Sequence, residues 1–399
     1  MAPCTGQFVL SVFLTCCIVP CPSHSHSKHQ KACGAGGRSR PLPRGTRVPA
    51  PCQADWVPDL LKVPAHTQID YVVTDLEGGP RPSAPVEDGY RVTKLHGGTY
   101  PGQLTTLGMQ QLYDLGMRLR RSYITDLPFL TASFSAAEVY VRSTNIMRTI
   151  ESAKCLVAGL YQQKQDDTVP ILTTDTENEI LYPNYHGCKL LKVLIGRQWA
   201  ELFQLPDITA DLKSIQAALG IQTEQRLDFI HLRDNMVARE AHGLPGPAGL
   251  EMWRSTVERR AVQMICHIYG ASREHLQLSI GPFLQILLTN IEDKLKGAAS
   301  AQSRKLFLYS VHDTTLMPCL MALGIFDTKW PPYAANLILE LHQHCVTQEA
   351  FVKVSYLGQD KLIPGCSGVY CPLREFQAIL SNLLLTMDRY RILCNQADL

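Results

Sequence analysis

The pattern of apolar and polar positions predicts helices and buried strands through most of the chain. A helix is predicted over 104–123, where one apolar stripe at helical spacing is formed by Leu104, Leu107, Leu112, Leu115 and Leu119. The β-prone Val-Tyr-Val predicts a strand at 138–142, and a near-continuous apolar run predicts a second strand at 305–311. Runs of this kind are typical of strands that are buried on both faces of a sheet.

A predicted helix follows each of these strands. After the first strand, Ser143, Thr144 and Asn145 are N-cap residue types, and apolar positions at near-helical spacing continue over 146–160. After the second strand, a helix is predicted up to Gly324, a residue type that often lies just beyond the end of a helix. The chain therefore contains two strand-to-helix junctions of similar design.

The remaining pattern completes an α/β picture. Helices are predicted over 252–269 and 283–295, and a hairpin is predicted from 336–341 and 351–357. Strands that alternate with helices favour a sheet with helices on both faces. The predicted fold class is α/β: a mixed, mostly parallel sheet with helices on both faces and an inserted, mainly helical lobe.

The length of 399 residues exceeds what one hydrophobic core usually supports, so a large core with a second lobe is expected. The stretch after residue 172 is more polar and irregular than its surroundings, and we interpret it as the lobe that faces substrate. The predicted divisions are a leader at 1–54, the first part of the core at 55–172, the lobe at 173–250 and the second part of the core at 251–399.

Residues 1–54 have a different composition, because no Asp or Glu precedes Asp55. The apolar stretch 8–19 is shorter than the roughly 20 residues that span a bilayer, and it fits a secretory signal except that no Lys or Arg precedes it. An acid-free segment with Arg and Ser also suits an organelle transit peptide. A disordered segment without an address is the third interpretation. We expect a mitochondrial location, with the secretory pathway as the alternative.

Charge and cysteine content exclude several functional classes. The formal net charge is +2, and no basic stripe is interleaved with aromatic residues, so nucleic-acid binding is not expected. The 14 cysteines show no paired CxxC spacing that would indicate structural zinc. Cys366, Cys371 and Cys394 are candidates for one disulfide in an oxidising compartment, while the central cysteines fit buried free thiols. We expect no cofactor, no metal, no transmembrane segment and a monomer.

The two junctions carry the candidate chemistry. In open α/β sheets, ligands bind beyond the carboxyl ends of the strands, and a helix that starts there favours an anion. Arg142 ends the first strand and offers a fork of donors that matches phosphate oxygens. His312 follows the second strand and could donate to a phosphoryl oxygen, and Asp313, given a raised pKa, could protonate a leaving alcohol. Taken singly, these residues are more often a salt-bridge partner or a helix cap.

Three segments match one family pattern. The first reads GQLT at 102–105, GMQQ at 108–111 and LG at 115–116. The second reads VRSTN at 141–145 with Arg148 and Ser152, and the third is the pair His312 and Asp313, followed by WPPYA at 330–334 and by Glu340 and Leu341. Together they resemble the histidine acid phosphatase family and, within it, the lysophosphatidic acid phosphatases. The resemblance runs from about Gln53 to Cys394 and implies a phosphoglycerate-mutase-like form of the predicted fold.

The resemblance implies hydrolysis of phosphate monoesters in two steps and without a metal. In this family a His attacks phosphorus, and water then releases phosphate from the phosphohistidine. Arg142 matches a phosphate-binding Arg of the family, His312 matches its second phosphate-binding His, and Asp313 matches the proton donor. The implied substrate is a small phosphomonoester or lysophospholipid, in particular lysophosphatidic acid, which would give monoacylglycerol and phosphate.

The chain departs from the family at the nucleophile. The family's attacking His lies in an RHGxRxP loop after its first strand, and Arg-His-Gly occurs nowhere in this sequence. The nearest fragment, GRSRP at 37–41, contains no His. The only apolar stretch that could replace the preceding strand is 8–14, which we interpret as part of a leader. We find no nucleophile in this chain.

Two explanations of this departure stay open. The chain is an inactive or unstable isoform, or its start derives from a different first exon that joins at about Gln53, where the composition changes. The functional hypotheses are accordingly a phosphomonoesterase, a non-catalytic protein that binds phosphomonoesters or lipids, and a structural remnant with neither property.

Overall fold

The computed structural model describes residues 10–14, 54–162, 165, 167–220, 227–247 and 249–396, with the backbone alone for 10–14 and for residue 300. The described residues form one mixed sheet. Its strands are β1 (Leu10–Leu14), β2 (Tyr71–Thr74), β3 (Val139–Ser143), β4 (Val169–Leu172), β5 (Leu306–Ser310), β6 (Asn336–Gln343), β7 (Ala350–Tyr356), β8 (Gln359–Lys361) and β9 (Tyr370–Pro372).

The strand order is β2-β4-β3-β5-β1-β6-β7-β8, and β9 also pairs with β7. The first five strands of this order are mutually parallel, while β6 is antiparallel to β1 and continues into the predicted hairpin with β7. In the register of the sheet, Leu14 lies beside Ser310, and Ser310 lies beside Ser143. Three parallel strands therefore end at the same edge of the sheet.

The helices of the described chain follow in order. They are α1 (Pro85–Tyr90), α2 (Thr106–Arg120), α3 (Met147–Tyr161), α4 (Lys189–Leu202), α5 (Pro206–Ala218), α6 (Phe229–Ala241), α7 (Arg254–Gly270), α8 (Arg273–Lys296), α9 (Ala299–Gln302), α10 (Asp313–Ala322), α11 (Leu373–Leu380) and α12 (Met387–Cys394). Three short 3₁₀ helices lie at Pro58–Leu61, Ala65–Thr67 and Glu251–Trp253, and a π-helical segment at Arg121–Asp126 directly extends α2.

Helices cover both faces of the sheet, as the buried strand pattern predicts. Val141 and Leu308 belong to the core that α2 and α3 cover, whereas Tyr309 belongs to the core on the side of α8 and α10. Every residue of β5 is buried. The α/β fold class with helices on both faces is confirmed.

The contact between α2 and α3 depends on two glycines. A Cβ atom at Gly116 would overlap the carbonyl oxygen of Leu156, and one at Gly159 would overlap the carbonyl oxygen of Tyr113. The backbones of the two helices therefore approach more closely than any side chain would allow. Gly116 belongs to the LG segment at 115–116, so this part of the sequence pattern serves packing.

Five residues of the predicted leader belong to the sheet. β1 lies between β5 and β6, with ladder pairing on both sides, so the interpretation of 8–14 as leader is wrong for Leu10–Leu14. The physical reason is that a short apolar run suits a strand buried in a sheet as well as it suits a signal segment, and periodicity cannot separate the two. The other residues up to 53 lie outside the described residues, where the targeting interpretations stay predictions.

The start of α3 differs from the prediction. Ser143 belongs to β3, and the N-cap position is Ile146, whose side chain makes no capping bond. The backbone N–H of Met147 instead donates to the Glu87 carboxylate at 3.1 Å. The predicted N-cap cluster of Ser143, Thr144 and Asn145 is therefore wrong, because a side chain distant in sequence supplies the acceptor.

The elements that were not predicted are the strands β1, β2, β4, β8 and β9 and the helices α1, α4, α5, α6, α9, α11 and α12. β2 and β4 have four residues each and pair with one another, in stretches that Gly and Pro interrupt. The polar stretch 173–250 contains α4, α5 and α6, which agrees with a mainly helical lobe. Their apolar faces share a core with α7. The predicted domain boundaries stay predictions.

Two disulfides are present in the described chain. Cys366 pairs with Cys371, as the candidate set allowed, but Cys394 pairs with Cys188 at the start of α4. The prediction that the central cysteines are free thiols is therefore wrong for Cys188. Its partner is 206 residues away in the sequence, so no local spacing of cysteines indicates the pair. No helix in the described residues has the length and apolar character needed to cross a membrane.

Candidate active site

A cavity of about 360 Å³ lies between the sheet edge and the helical lobe. Its floor comes from the residues that follow β5 and from the first turn of α3, and its opposite wall comes from α4, α6 and α7. The carboxyl, guanidinium and imidazole side chains that line it are Arg148, His186, His231, Arg233, Asp234, His312 and Asp313. The cavity therefore brings together residues of the core and of the lobe.

His312 is held at the floor of the cavity. Its Nε2 lies 3.0 Å from the hydroxyl oxygen of Thr144, and its ring meets that of Tyr182 edge to face at 5.9 Å between centroids. Burial, together with the positive charge of Arg148, lowers the pKa of His312 well below its usual value. The imidazole is therefore neutral in mildly acidic solution and acts by hydrogen bonding rather than by charge.

Asp313 is the first residue of α10 and lines the same cavity. One carboxylate oxygen accepts the indole N–H of Trp330 at 2.9 Å, and the other accepts the backbone N–H of Thr314 at 2.8 Å. Two donors thus fix the orientation of a carboxyl group at the floor of the cavity. The predicted role of Asp313 as proton donor stays a prediction.

Arg142, the third predicted site residue, does not line the cavity. It is 4% exposed, and its guanidinium lies 3.3 Å from a carboxylate oxygen of Glu179, which is 1% exposed. Glu179 also accepts two backbone N–H groups, from Ile180 and Leu181. Burial raises the pKa of Glu179, and Arg142 opposes this. Its predicted contact with phosphate stays a prediction, since its observed partner is Glu179.

Arg148 lines the cavity from the core side, as Arg233 does from the lobe side. Arg148 lies in the first turn of α3, its guanidinium is 5.3 Å from the centre of the Tyr90 ring, and Nη2 lies 3.5 Å from the Tyr90 hydroxyl. A cation at this place would attract a phosphate dianion. The sequence pattern contains Arg148 as part of the second signature, yet nothing in its spacing distinguishes it from Arg142.

The lobe adds two titratable groups that the sequence did not indicate. Burial and the charge of Asp313 raise the pKa of Asp234 to about 7, while Arg233 and His231 oppose the shift. Burial disfavours the charged form of His231, but its hydrogen bond to Asp228 and the charge of Asp228 raise its pKa. Both residues lie on α6, whose sequence shows only an ordinary mixture of charges.

The rest of the cavity wall is largely apolar. It includes Ile195 and Trp199 from α4, Ile230 from α6, and Ile265 and Ile268 from α7. The ring of Trp199 stacks on that of Phe203, which is 38% exposed. The apolar wall therefore continues from the interior of the cavity toward the protein surface.

A second cavity, of about 890 Å³, lies between α2 and the strands β6 and β7. At its base, the Glu340 carboxylate accepts from the Tyr123 hydroxyl at 2.5 Å, lies 2.8 Å from Nζ of Lys353 and 3.0 Å from Nε2 of His342. These bonds outweigh burial and lower the pKa of Glu340 to about 2. None of the predicted site residues lies in this cavity. We interpret Glu340 and its three partners as an ionic network whose hydrogen bonds are made within the protein.

Among the described residues, Cys366, Cys371 and Glu375 are close enough together to hold a metal ion, but the two cysteines form a disulfide. This cluster is separate from the residues that line the cavity. The cavity itself offers two carboxyl groups, three imidazoles and two guanidinium groups.

The chain leaves β1 at the edge of the sheet where the cavity lies. Leu14 is level with Ser310, and His312 follows two residues after Ser310. In the sequence, Leu14 is followed by Thr15, Cys16 and Cys17, without the Arg-His-Gly of the family pattern. The strand position that precedes a nucleophile loop is thus present, although the loop sequence is not.

Comparison with known proteins identifies close relatives. The model of the histidine phosphatase superfamily (branch 2) matches residues 71–219 and 222–357. Lysophosphatidic acid phosphatase type 6 of Bos taurus is 42% identical over 369 residues, which cover 92% of this chain and 85% of the relative. The protein of the same name from Homo sapiens is 42% identical over 368 residues, covering 92% and 84%. Testicular acid phosphatase of Homo sapiens is 30% identical over 306 residues, covering 69% of each chain.

Solved structures share the fold at low sequence identity. The Hafnia alvei phytase in complex with tartrate superimposes with a TM-score of 0.59 at 14% identity, over 96% of this chain and 97% of the phytase. The phytase of Klebsiella sp ASR1 gives a TM-score of 0.54 at 16% identity, over 81% and 96%. At this identity the likeness concerns the fold alone.

Proposed function

Because the chain belongs to branch 2 of the histidine phosphatase superfamily, and is by family a phosphoric monoester hydrolase, we propose that its substrate is a lysophospholipid-type phosphomonoester, in particular lysophosphatidic acid. Hydrolysis would release monoacylglycerol and phosphate. The single observation that carries this proposal is the composition of the cavity. Its floor carries the groups that handle a phosphate ester, and its lobe wall adds a set of apolar side chains, among them Ile195, Trp199 and Ile265.

Three residues at the floor of the cavity would have different roles in hydrolysis. Arg148 offers a cation to the phosphoryl oxygens, and the neutral imidazole of His312 offers a hydrogen bond without adding charge. Asp313 is oriented by two N–H donors and would protonate the leaving oxygen. Arg142 keeps its proposed role as a second phosphate-binding group if ligand draws it from Glu179.

The lobe wall supports a lipid rather than a small sugar phosphate. Burial of one methylene group contributes about 0.8 kcal/mol, so a wall formed by Ile195, Trp199 and Ile265 would favour an acyl chain. The exposed Phe203, stacked on Trp199, extends this surface outward. A phosphomonoester without an apolar group would leave the wall uncovered.

A second candidate function is phosphomonoester or lipid binding without turnover. The observation that favours it is the absence of Arg-His-Gly from the whole sequence, which removes the attacking imidazole of the family mechanism. His312 is a poor substitute, because Nε2 already faces the Thr144 hydroxyl. The same cavity would then bind the ligand and release it unchanged.

Phosphate release from lysophosphatidic acid by the purified full chain distinguishes the two functions. If the chain is a phosphatase, we expect release that falls by at least about 100-fold in the Asp313→Asn variant, since a positioned general acid typically contributes 10²–10⁴-fold. The matched control is Asp327→Asn, which removes a carboxylate from the exposed turn before Trp330.

The binding measurement completes the experiment. Wild-type protein that binds a non-hydrolysable lysophosphatidate analogue but releases no phosphate would establish the second function. Wild-type protein that melts cooperatively but neither binds nor hydrolyses would contradict both. Replacing the acyl analogue with glycerol 3-phosphate tests the apolar wall, and we expect weaker binding of the short compound.

We also propose a compartment. The composition of residues 1–54, which include no Asp or Glu, suits a mitochondrion or the secretory pathway, and of these residues Leu10–Leu14 belong to the sheet. The disulfides Cys188–Cys394 and Cys366–Cys371 add weight to the secretory alternative, because disulfides persist in oxidising compartments. Imaging of the full chain with a tag after its last residue tests this, and a cytosolic signal would contradict both locations.

A further inference from the structure

Two carboxyl groups face the cavity, one from the core and one from the lobe. Asp313 begins α10, and Asp234 lies on α6. An aromatic platform joins them: the indole N–H of Trp330 donates to Asp313 at 2.9 Å, and the Arg233 guanidinium lies 4.5 Å from the centre of the Trp330 ring. Arg233 in turn lies 3.6 Å from the carboxylate of Asp234. The two acids are therefore held in one assembly.

The charge of Asp234 is only partly balanced. Arg233 donates from Nε to Glu258 at 2.9 Å, so its charge is shared between two carboxylates. The 3.6 Å separation from Asp234 is longer than a normal hydrogen bond. About a third of the Asp234 side chain, 37%, is accessible, and the residue lines the cavity. An anion in the cavity would therefore experience the negative charge of an ionised Asp234.

The protonation of Asp234 changes within an accessible pH range. Burial and the charge of Asp313 raise its pKa to about 7, against the opposing charges of Arg233 and His231 and with a small contribution from Asp228. Below that pH the group is neutral, and above it a second negative charge faces the cavity. The charge of the lobe wall thus becomes more negative as the pH rises.

Other titratable groups face the same space. Two histidines that line the cavity could imitate the effect, because an imidazolium loses its positive charge as the pH rises. The hydrogen bond to Asp228 and the charge of Asp228 raise the pKa of His231, while burial and the charge of Lys192 lower the pKa of His186.

His312 and three tyrosines of the lining stay uncharged. His312 is neutral through the relevant range, since burial and Arg148 lower its pKa. Burial raises the pKa of each phenol in the set Tyr182, Tyr185 and Tyr269. Asp234 must therefore be separated from His231 and His186 by experiment.

We propose that Asp234, which lines the cavity and is linked to Asp313 through Arg233 and Trp330, is a second carboxyl group of the phosphate site, and that its negative charge excludes tetrahedral dianions from the cavity. The inference rests on the proposed phosphate site and adds a residue of the lobe to it. Binding of a dianion favours the protonated form of Asp234, so binding takes up protons near neutral pH. Asp234 would thus restrict the site to mildly acidic conditions.

Sulfate is the appropriate probe, because it is a tetrahedral dianion whose own charge does not change in this range. Calorimetric titration of the full chain with sodium sulfate should show affinity that falls roughly tenfold from about pH 5.5 to about pH 8, because only about a tenth of Asp234 is protonated one pH unit above a pKa of about 7. In the Asp234→Asn variant the affinity should stay at the acidic wild-type value. Asp234→Glu should restore the fall.

Three control variants identify the group responsible. Asp114→Asn removes a carboxylate from α2, outside this cavity, and should leave the fall unchanged. His231→Gln and His186→Gln should each retain most of the fall. A flat profile for either histidine variant, or an unchanged fall in Asp234→Asn, would overturn the inference.

A measurement on wild-type protein alone makes the test independent of the variants. Repeating the titration near pH 7 in two buffers of different ionisation enthalpy should reveal net proton uptake on sulfate binding. Sulfate binding without proton uptake or pH dependence would overturn the role of Asp234 and leave the phosphate site standing. Folded protein that binds neither sulfate nor inorganic phosphate at acidic pH would overturn the phosphate site as well.

Discussion

The two strand-to-helix junctions lie side by side at one edge of the sheet, yet they treat their signature residues differently. β3 and β5 pair in register, so that Ser143 lies beside Ser310. The junction after β5 delivers His312 and Asp313 to the cavity. The junction after β3 keeps Arg142 buried against Glu179 and places another arginine, Arg148, in the cavity.

Arg142 and His312 differ in burial because they lie at different positions relative to the ends of their strands. Arg142 lies within β3 and pairs with Tyr309, and paired residues point to the same face of a sheet. Its side chain therefore enters the core on the side of Tyr309. His312 lies two residues beyond the last residue of β5, where alternation no longer applies. At these two junctions, the side chain within the paired part of the strand is buried, and the side chain beyond the paired part lines the cavity.

The residue of the β3 junction that corresponds in register to His312 is Asn145. It accepts from Nε of Arg81 at 2.7 Å and donates to the carbonyl oxygens of Pro82 and Ser83 at 3.0 and 3.1 Å. Asn145 therefore anchors the segment before α1, and its neighbour Thr144 holds His312. The junction after β5 provides His312 and Asp313. The junction after β3 provides Arg148 and the Thr144 hydroxyl that contacts His312.

The largest expected effect tests the burial of Arg142. Arg142→Ala should lower the free energy of unfolding by about 3–5 kcal/mol, because it leaves the buried Glu179 carboxylate without its cation. Denaturant unfolding measures this. Arg121→Ala, which removes an exposed arginine 3.5 Å from Asp126, is the control and should cost less than about 1 kcal/mol.

A double variant sharpens this test. Replacing Arg142 and Glu179 together by apolar residues of similar volume should cost less than either single change, since no uncompensated charge stays buried. A cost below about 1 kcal/mol for Arg142→Ala alone would contradict the assignment of Arg142 to an interior ion pair.

The next effect concerns ligand and the other arginine. Arg148→Ala should raise the Kd for inorganic phosphate by roughly 10- to 100-fold, the range that corresponds to losing a hydrogen bond to a charged group. Phosphate titration of the folded variant measures it, and Arg118→Ala on α2, which lines the second cavity, is the control. If folded Arg142 variants weaken phosphate binding more than Arg148→Ala does, the contrast between the junctions fails for the ligand-bound protein.

The smallest expected change in stability concerns the N-terminal caps of α3 and α2. Glu87→Ala should destabilise the protein by about 0.5–2 kcal/mol, as removal of a capping side chain does, because the first N–H of α3 loses its acceptor. The comparison is Thr105→Ala, which removes the local cap of α2. Hydrogen exchange should report faster exchange in the first turn of α3 for the former and of α2 for the latter. Equal exchange at α3 in both variants would argue against capping by Glu87.

Much of the core was accessible to prediction because its signals are local. The buried runs of β3 and β5, the apolar stripe of α2 and the β6–β7 hairpin each carry their pattern within a few consecutive residues. The four-residue strands β2 and β4 escaped because they are too short to show a period. The helices α4, α5 and α6 of the lobe were not predicted one by one, because few of the residues in each helix are buried.

The site was accessible only in part. His312 and Asp313 were found because they follow a recognisable strand directly and match a family pair. Asp234 and His231 carry no such signal, since their importance arises from facing Asp313 across a cavity that the lobe closes. Arg142 and Arg148 lie six residues apart and have the same chemistry, and only the register of β3 separates them.

The amino-acid sequence by itself determined the fold class, the family and the absence of Arg-His-Gly, because each depends on residue identity and local spacing. The tertiary structure decided which groups share a cavity, which arginine is buried and where Cys188 finds its partner, because those depend on contacts between residues far apart in the chain. It also decided the place of Leu10–Leu14, whose apolar run fits a leader or a strand equally well until neighbouring strands pair with it.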